Sequence, residues 1–553
     1  MTKILHDFSK FFRSLVNSPV KLLSLATAAG FLLLAVMLFV PVFYRDSVNY
    51  VAAAEAFRCG NWRMAFSLTF PPLMFAFGAL WMLFGFNAQQ GVTIASGLLL
   101  IGSLWAAYMV LSFYMRKRFA AWGAVLFFLF PFVLRTGFSP LTDSGRWFFL
   151  FLSMALILSF LSNGKKITLF WLGCAYAGFS LTRSEGIVYV ILLSGWFLWE
   201  LARKTGSFRN MLRSSFRNLA FVLLPLCVAG ALLAPRFYQL YKETGYAALD
   251  MRQTWAVRGL VKHFCRGGEA VSAGTVSVKD LTRSYGSLND FNLGWFRNGK
   301  FHSRYWKNLW KGCFAPYLIL AAAGTLIFLM LGRWKYSYSL FLVFLVVNAA
   351  VFFLMRSNAG RYFYLNAFFL TPLLVDTLRY LRFLIGKYRR FDLLPWAEFA
   401  ILVCALVCFY AGMANLNYRG EACFPAVGAY MRRHCQIPSA SGTEHPVCLV
   451  FGKNYGWGFQ MRMNEIVFRE VPAFASSVRE MIRDGFPVEF CTYAVDNLNG
   501  IGSLRPDFLV FYEVAPEEFL SASVFDRMEE VRHGLSEDVK VFRVPRPEKK
   551  HER

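Results

Sequence analysis

Asp46 stands directly after the first long apolar run, Leu22–Phe43, at the edge of a membrane span. A carboxylate there has two readings. It can act as a general base that takes the proton of a hydroxyl attacking an anomeric carbon. It can equally be a helix N-cap that only accepts backbone N–H bonds. Tyr50 lies four residues on, so a helix would put the two on one face as a substrate-binding pair. Asp143, in Leu141-Thr142-Asp143, is a second carboxylate at a span boundary, again either a catalytic group or a cap. Two carboxylates on one membrane face can also share a divalent cation.

Arg183 and Glu185, in Leu181-Thr182-Arg183-Ser184-Glu185-Gly186, sit between two apolar runs. Ionisable groups at that depth are costly and mark function by default. The alternative is a mutual Arg–Glu pair near the surface. Arg361-Tyr362 follows another apolar run. An arginine there either snorkels to headgroups or cradles a leaving lipid phosphate, which its planar fork suits. Arg183, Arg361 and Tyr362 are therefore the candidate donor-phosphate contacts, and Glu185 a candidate substrate contact.

Positioning these groups requires a polytopic helical membrane protein. The chain has 553 residues, 57% hydrophobic and only 17% charged, well below the quarter typical of a soluble protein. Several apolar runs reach the roughly 20 residues that cross a bilayer. The runs are continuous rather than alternating, which excludes a β-barrel. A net charge of +26 raises the question of nucleic acid. The Lys and Arg residues gather between spans, as the positive-inside rule expects, and no basic stripe accompanies a soluble nucleic-acid fold.

The pattern predicts about eleven spans. Residues 1–21 form a basic cytoplasmic N-terminus, and 22–414 a multi-span unit with outer loops at 44–91 and 236–312. Pro71–Gly85 is expected to lie in the interface with its aromatics towards lipid. Basic clusters at 116–118, 165–166, 203–217, 333–335 and 382–390 fall on one side in this count. The Asp46, Asp143, Arg183 and Arg361 stretches fall on the other. The long loop carries Trp255, Arg258, Lys262, Trp295 and Trp306, which suit the headgroup level. It is read as a lid closing over a lipid-borne donor.

Residues 415–553 read as a separate small α/β domain outside the cytoplasm. Strands are expected at Val447–Phe451, Phe508–Tyr512 and Val539–Val544, and helices at Ser476–Arg483 and Pro516–Arg527. The 11 cysteines include no CxxC pair, which argues against a structural zinc site. Outside the cytoplasm, Cys423, Cys435, Cys448 and Cys491 can form one or two disulfides.

These stretches together resemble a family. The ordered set Asp46-x-x-x-Tyr50, Gly60-Asn61-Trp62, Pro71-Pro72-Leu73 and Phe84-Gly85, followed by Leu141-Thr142-Asp143, the 181–186 stretch and Arg361-Tyr362, is similar to the GT-C glycosyltransferases. Within them it most resembles protein O-mannosyltransferases and the aminoarabinose transferases that act on lipid A. The likeness covers about residues 20–415. It implies a polyprenyl-phosphate sugar donor, a lipid, glycan or protein acceptor, an active site outside the cytoplasm and a catalytic role for Asp46. The chain departs from the family pattern at Phe70, where members often carry Lys or His, and at Ser47, where protein-acting members often carry a second acid. A transporter or flippase of a lipid-linked glycan is the competing reading. Against it, no internal repeat or pair of broken helices appears in matching halves.

Overall fold

The computed structural model describes residues 18–39, 47–58, 71–204, 208–244, 248–249, 299–313, 315–354 and 360–388, and the segments 447–452, 467–472, 508–512, 529–530 and 539–543. Two compact units emerge. One holds Met1–Val40, Phe70–Gly268 and Asn289–Leu416; the other holds Pro41–Thr69, Glu269–Leu288 and Asn417–Arg553.

The first unit is helical. Helix α1 (Pro19–Met37) starts at Ser18, whose side chain accepts from the Lys21 amide, with proline at the first position. In the second unit, α2 covers Ser47–Arg58. The first unit continues with α3 (Leu73–Met82) and α4 (Ala88–Ser112). Asn87 and Gln90 close a capping box that fixes where α4 begins. Two glycines let these helices touch. A Cβ on Gly91 would lie 2.4 Å from the Gly78 carbonyl oxygen, and one on Gly78 would lie 2.5 Å from Val92 Cγ2. Helix α3 therefore packs on α4 instead of turning all its aromatics to lipid. Phe84, just past its end, is exposed, but Phe75 is buried, contrary to the expectation for Pro71–Gly85.

Next come α5 (Lys117–Phe128) and α6 (Pro131–Gly137), which divide one apolar stretch in two. Pro131 ends the earlier helix because the residue before a proline disfavours helical backbone. Then follow α7 (Asp143–Asn163), α8 (Ile167–Thr182) and α9 (Gly186–Lys204). Gly164, at φ 66°, closes α7. Helix α10 runs Phe208–Thr244, into the stretch expected as an outer loop. The expected loop 236–312 thus starts as helix, and it ends in another, α11 (Gly299–Cys313). Its middle lies outside the described residues. Helices α12 (Ala315–Met330) and α13 (Tyr336–Leu354), a 3-10 turn (Gly360–Phe363) and α14 (Asn366–Tyr388) complete the unit.

Among the described residues six helices are long and apolar enough to cross a membrane, and seven if the bent α11–α12 pair is one span. The count of about eleven is not recovered, for physical reasons. One apolar stretch is broken at Pro131, α8 has only 16 residues, and α14 carries Asp376 and Arg379. The apolar stretch 396–413 lies outside the described residues.

The basic ends do meet. Buried Glu200 near the end of α9 accepts from Arg203 at 2.9 Å and from the Tyr336 hydroxyl at the start of α13. Asp376 of α14 accepts from Lys335 and, at 2.6 Å, from Tyr338. Residues from the 203–217 and 333–335 clusters are thereby neighbours.

In the second unit, β1 (Val447–Gly452), β2 (Val467–Pro472), β3 (Phe508–Tyr512), β4 (Glu529–Glu530) and β5 (Val539–Arg543) form one sheet, ordered β2-β1-β3-β5-β4. Strand β1 is parallel to β2 and β3, and β5 is antiparallel to β3 and β4. The three expected strands are present, and Phe511 packs edge-on against Phe542 at 5.7 Å. The two expected helices of this part lie outside the described residues, as do Cys423, Cys435 and Cys491 of the disulfide expectation; Cys448 stands in β1.

Candidate active site

Five of the seven candidate residues come together at one end of the helical unit. Asp143 opens α7 and is fully buried. Ser96 of α4 fixes the approach to it: its hydroxyl bonds the Leu141 carbonyl at 3.0 Å and the Ser144 hydroxyl at 2.8 Å. Gly145 keeps α7 tight on its neighbours, since a Cβ there would meet Thr182 Cγ2 at 2.6 Å. The helix N-terminus also favours a carboxylate in its first turn.

Arg183 caps α8 in extended conformation and turns its side chain to Asp143. The turn is possible because residue 186 is glycine. A Cβ there would fall 2.7 Å from the Phe179 carbonyl oxygen. Arg183 Nη1 donates to Asp143 Oδ1 at 3.2 Å and reaches Thr142 Oγ1 at 3.5 Å. Its Nη2 and Nε grip both oxygens of Glu185, at 2.9 and 3.2 Å. All three side chains are buried. Burial pulls the Arg183 pKa down, but Glu185 and Asp143 outweigh it and hold the guanidinium well above its ordinary value.

Arg361 arrives from the 3-10 turn. Its Nε lies 3.8 Å from Asp143 Oδ2, an oxygen that finds no hydrogen-bond partner among the described residues. Tyr362 is buried between these groups. Its ring lies beneath Arg183 at 4.8 Å and Arg361 at 5.4 Å, and stacks on Phe352 at 4.8 Å.

The sequence reading missed Arg146. It lies one turn into α7 and is fully buried. Nη2 donates to the Tyr362 carbonyl at 2.8 Å, and the guanidinium covers the Phe352 ring at 4.9 Å. Asn348 reaches the same carbonyl at 3.4 Å and is itself held by Asn366 and the Tyr189 hydroxyl. Nε and Nη1 of Arg146 have no hydrogen-bond partner among the described residues. The signal was present: a charge inside an apolar helix is expensive and marks a site. Arg146 ties the turn that carries Arg361 to the helix that carries Asp143. Arg146→Lys is expected to keep the charge but lose the fork, costing about 1.5–3 kcal/mol, the value of a hydrogen bond to a charged group. Thermal unfolding in detergent would show it as a lowered Tm.

Among the described residues the cluster holds three guanidiniums, Arg146, Arg183 and Arg361, against two carboxylates, Asp143 and Glu185, a balance of one positive charge. Such a charge suits an anion. Asp143 and Glu185 share one guanidinium, that of Arg183. Among the described residues no group of three His, Cys, Asp or Glu could hold a metal ion. Of the other candidates, Asp46 lies outside the described residues, and Tyr50 is buried in α2 of the second unit.

No family model and no curated protein matches the chain. Solved structures do. ArnT from Cupriavidus metallidurans, solved bound to undecaprenyl phosphate, is 14% identical over 94% of this chain and 97% of that one, with a TM-score of 0.54. The archaeal oligosaccharyltransferase AglB from Archaeoglobus fulgidus, solved with an inhibitory peptide and a dolichol-phosphate, is 13% identical over 89% of this chain and 69% of that one, with a TM-score of 0.50. Both are GT-C proteins, and at these identities what they share with this chain is architecture. The fold of this chain is the GT-C fold.

Proposed function

We propose that the protein is a membrane glycosyltransferase that moves a sugar from a polyprenyl-phosphate donor to a lipid, glycan or protein acceptor. The observation that carries this reading is the buried cluster of Asp143, Arg146, Arg183, Glu185 and Arg361, in which three guanidiniums meet two carboxylates among the described residues. Undecaprenyl phosphate and dolichol-phosphate are what the two neighbours named above were solved with, and the same donor class fits a cluster rich in guanidinium.

In this mechanism the acceptor hydroxyl attacks the anomeric carbon and its proton passes to Asp46. The bond from the anomeric carbon to the phosphate oxygen breaks, and its electron pair leaves with the polyprenyl phosphate. Negative charge grows on that phosphate, where fixed positive groups stabilise the transition state. Arg361 is the phosphate contact, since it comes from a turn at the edge of the cluster and is the more exposed arginine. Arg183 aligns the two carboxylates and supplies field rather than a free fork, because its donors are engaged. Tyr362 sets the spacing of the two arginines.

The test is purified protein in detergent with a panel of labelled polyprenyl-phosphate sugars and a lipid and protein acceptor extract. One donor should yield free polyprenyl phosphate and a labelled acceptor. A protein that leaves every donor intact, yet moves one across a vesicle membrane, is the flippase instead.

The reading also requires the cluster to face away from the cytoplasm, in the inner membrane of the cell, with residues 415–553 on the same side. The Lys/Arg asymmetry supports this orientation. A phosphatase fused after Arg553 should be active outside the cytoplasm. Activity of a cytoplasmic reporter alone at that position would reverse the orientation.

A further inference from the structure

Helix α11 has three faces. Tyr305, Gly312 and Cys313 are buried, and Leu309 packs beside them. Trp306 and Trp310, one turn apart, are 60% and 54% exposed. Arg304, Lys307 and Lys311 form a third, exposed stripe at spacings of three and four, and the helix contains no acidic residue. The axis turns by 78° into α12. Helix α12 is apolar, with Ile319, Leu326 and Met330 exposed as lipid-facing residues are, so α11 lies at a steep angle to an apolar helix.

The buried face leads to the site. Tyr305 packs edge-on against Phe363 at 5.2 Å, and its hydroxyl donates to the Ala349 carbonyl at 2.6 Å. A Cβ on Gly312 would lie 2.2 Å from Phe363 Cβ, so α11 presses on the 3-10 turn at backbone distance. That turn carries Arg361 and Tyr362.

We infer that α11 is a docking face for the anionic phospholipids of the surrounding leaflet, and that its seating sets the turn bearing Arg361. Trp306 and Trp310 enter the interface, where indole rings partition. Arg304, Lys307 and Lys311 take the headgroup phosphates, each basic residue strengthening the attraction about fivefold. The occupant is bilayer phospholipid, because the basic stripe is exposed, unlike the buried cluster at Asp143. Only the effect on Arg361 rests on the glycosyltransferase reading; the lipid contact does not.

The experiment has two arms. In the first, native mass spectrometry counts phosphatidylglycerol and phosphatidylethanolamine kept by the wild type, by Arg304→Gln/Lys307→Gln/Lys311→Gln, and by the control Lys165→Gln/Lys166→Gln. The triple variant should retain several-fold less phosphatidylglycerol, with phosphatidylethanolamine unchanged and the control like wild type. Equal phosphatidylglycerol retention by all three proteins overturns the docking face, whatever the enzyme does. In the second arm, transfer is measured in nanodiscs with and without phosphatidylglycerol. The wild-type rate should rise several-fold with the anionic lipid, and the triple variant should be flat. A triple variant that still responds to the lipid, or that shows only a raised KM for the donor, overturns the coupling and assigns the stripe to the donor.

Discussion

Asp46→Asn is expected to leave the protein level near wild type and to lower sugar transfer about 100- to 10,000-fold, the usual loss for a general base. That is about 3–5 kcal/mol of barrier. The sequence reading leaves open a cap-only role for Asp46 ahead of a helix. Asn caps nearly as well as Asp and has its shape, so a cap-only role predicts normal turnover. Ala removes both functions, and a cap-only Asp46 would then show a lowered protein level with normal turnover per molecule. Turnover per molecule and protein level, measured side by side for Asn and Ala, separate the two roles. Wild-type turnover in the Asn variant would remove Asp46 from the chemistry.

The second large effect is at Arg183. Arg183→Met leaves Asp143 and Glu185 as buried carboxylates without their shared partner. Breaking a buried pair from one side costs about 3–5 kcal/mol, because a charge is stranded. The variant should fail to accumulate. Arg183→Met combined with Asp143→Asn and Glu185→Gln removes the stranded charges and should recover protein level while staying inactive. Arg183→Lys should accumulate but transfer poorly, since an ammonium cannot grip both oxygens of Glu185 and Asp143 together. If Arg183→Met accumulates normally in membranes, the pairing carries little of the fold.

Much of this was legible because hydropathy and charge write the helix ends directly. Asp143, the 183–185 turn and Arg361-Tyr362 stood out as polar groups beside apolar runs, and the structure joins them. Gly186 reads as punctuation in the sequence; its function, the close approach to Phe179, is a contact between residues that only coordinates show. Arg146 was hidden because it follows Asp143 by three residues and looked like part of a polar loop. In the structure it is inside α7. In the sheet, the missed strands are β2 and β4, the two edges. Edge strands carry charge to discourage pairing, so Arg469, Glu470, Glu529 and Glu530 break the apolar pattern that betrays a central strand. The span count is not recovered where a helix is broken, short or charged, because a hydropathy window rewards only unbroken apolar length.

The central claim is that the buried cluster holds the donor phosphate. A polyprenyl phosphate carrying a photoreactive group beside the phosphate tests it most directly. Irradiated with the purified protein and digested, it should label peptides containing 135–147, 181–189 or 360–366, and Arg361→Gln should weaken that labelling. Labelling confined to the opposite helix ends, around 116–118, 200–203 and 333–335, would contradict the account.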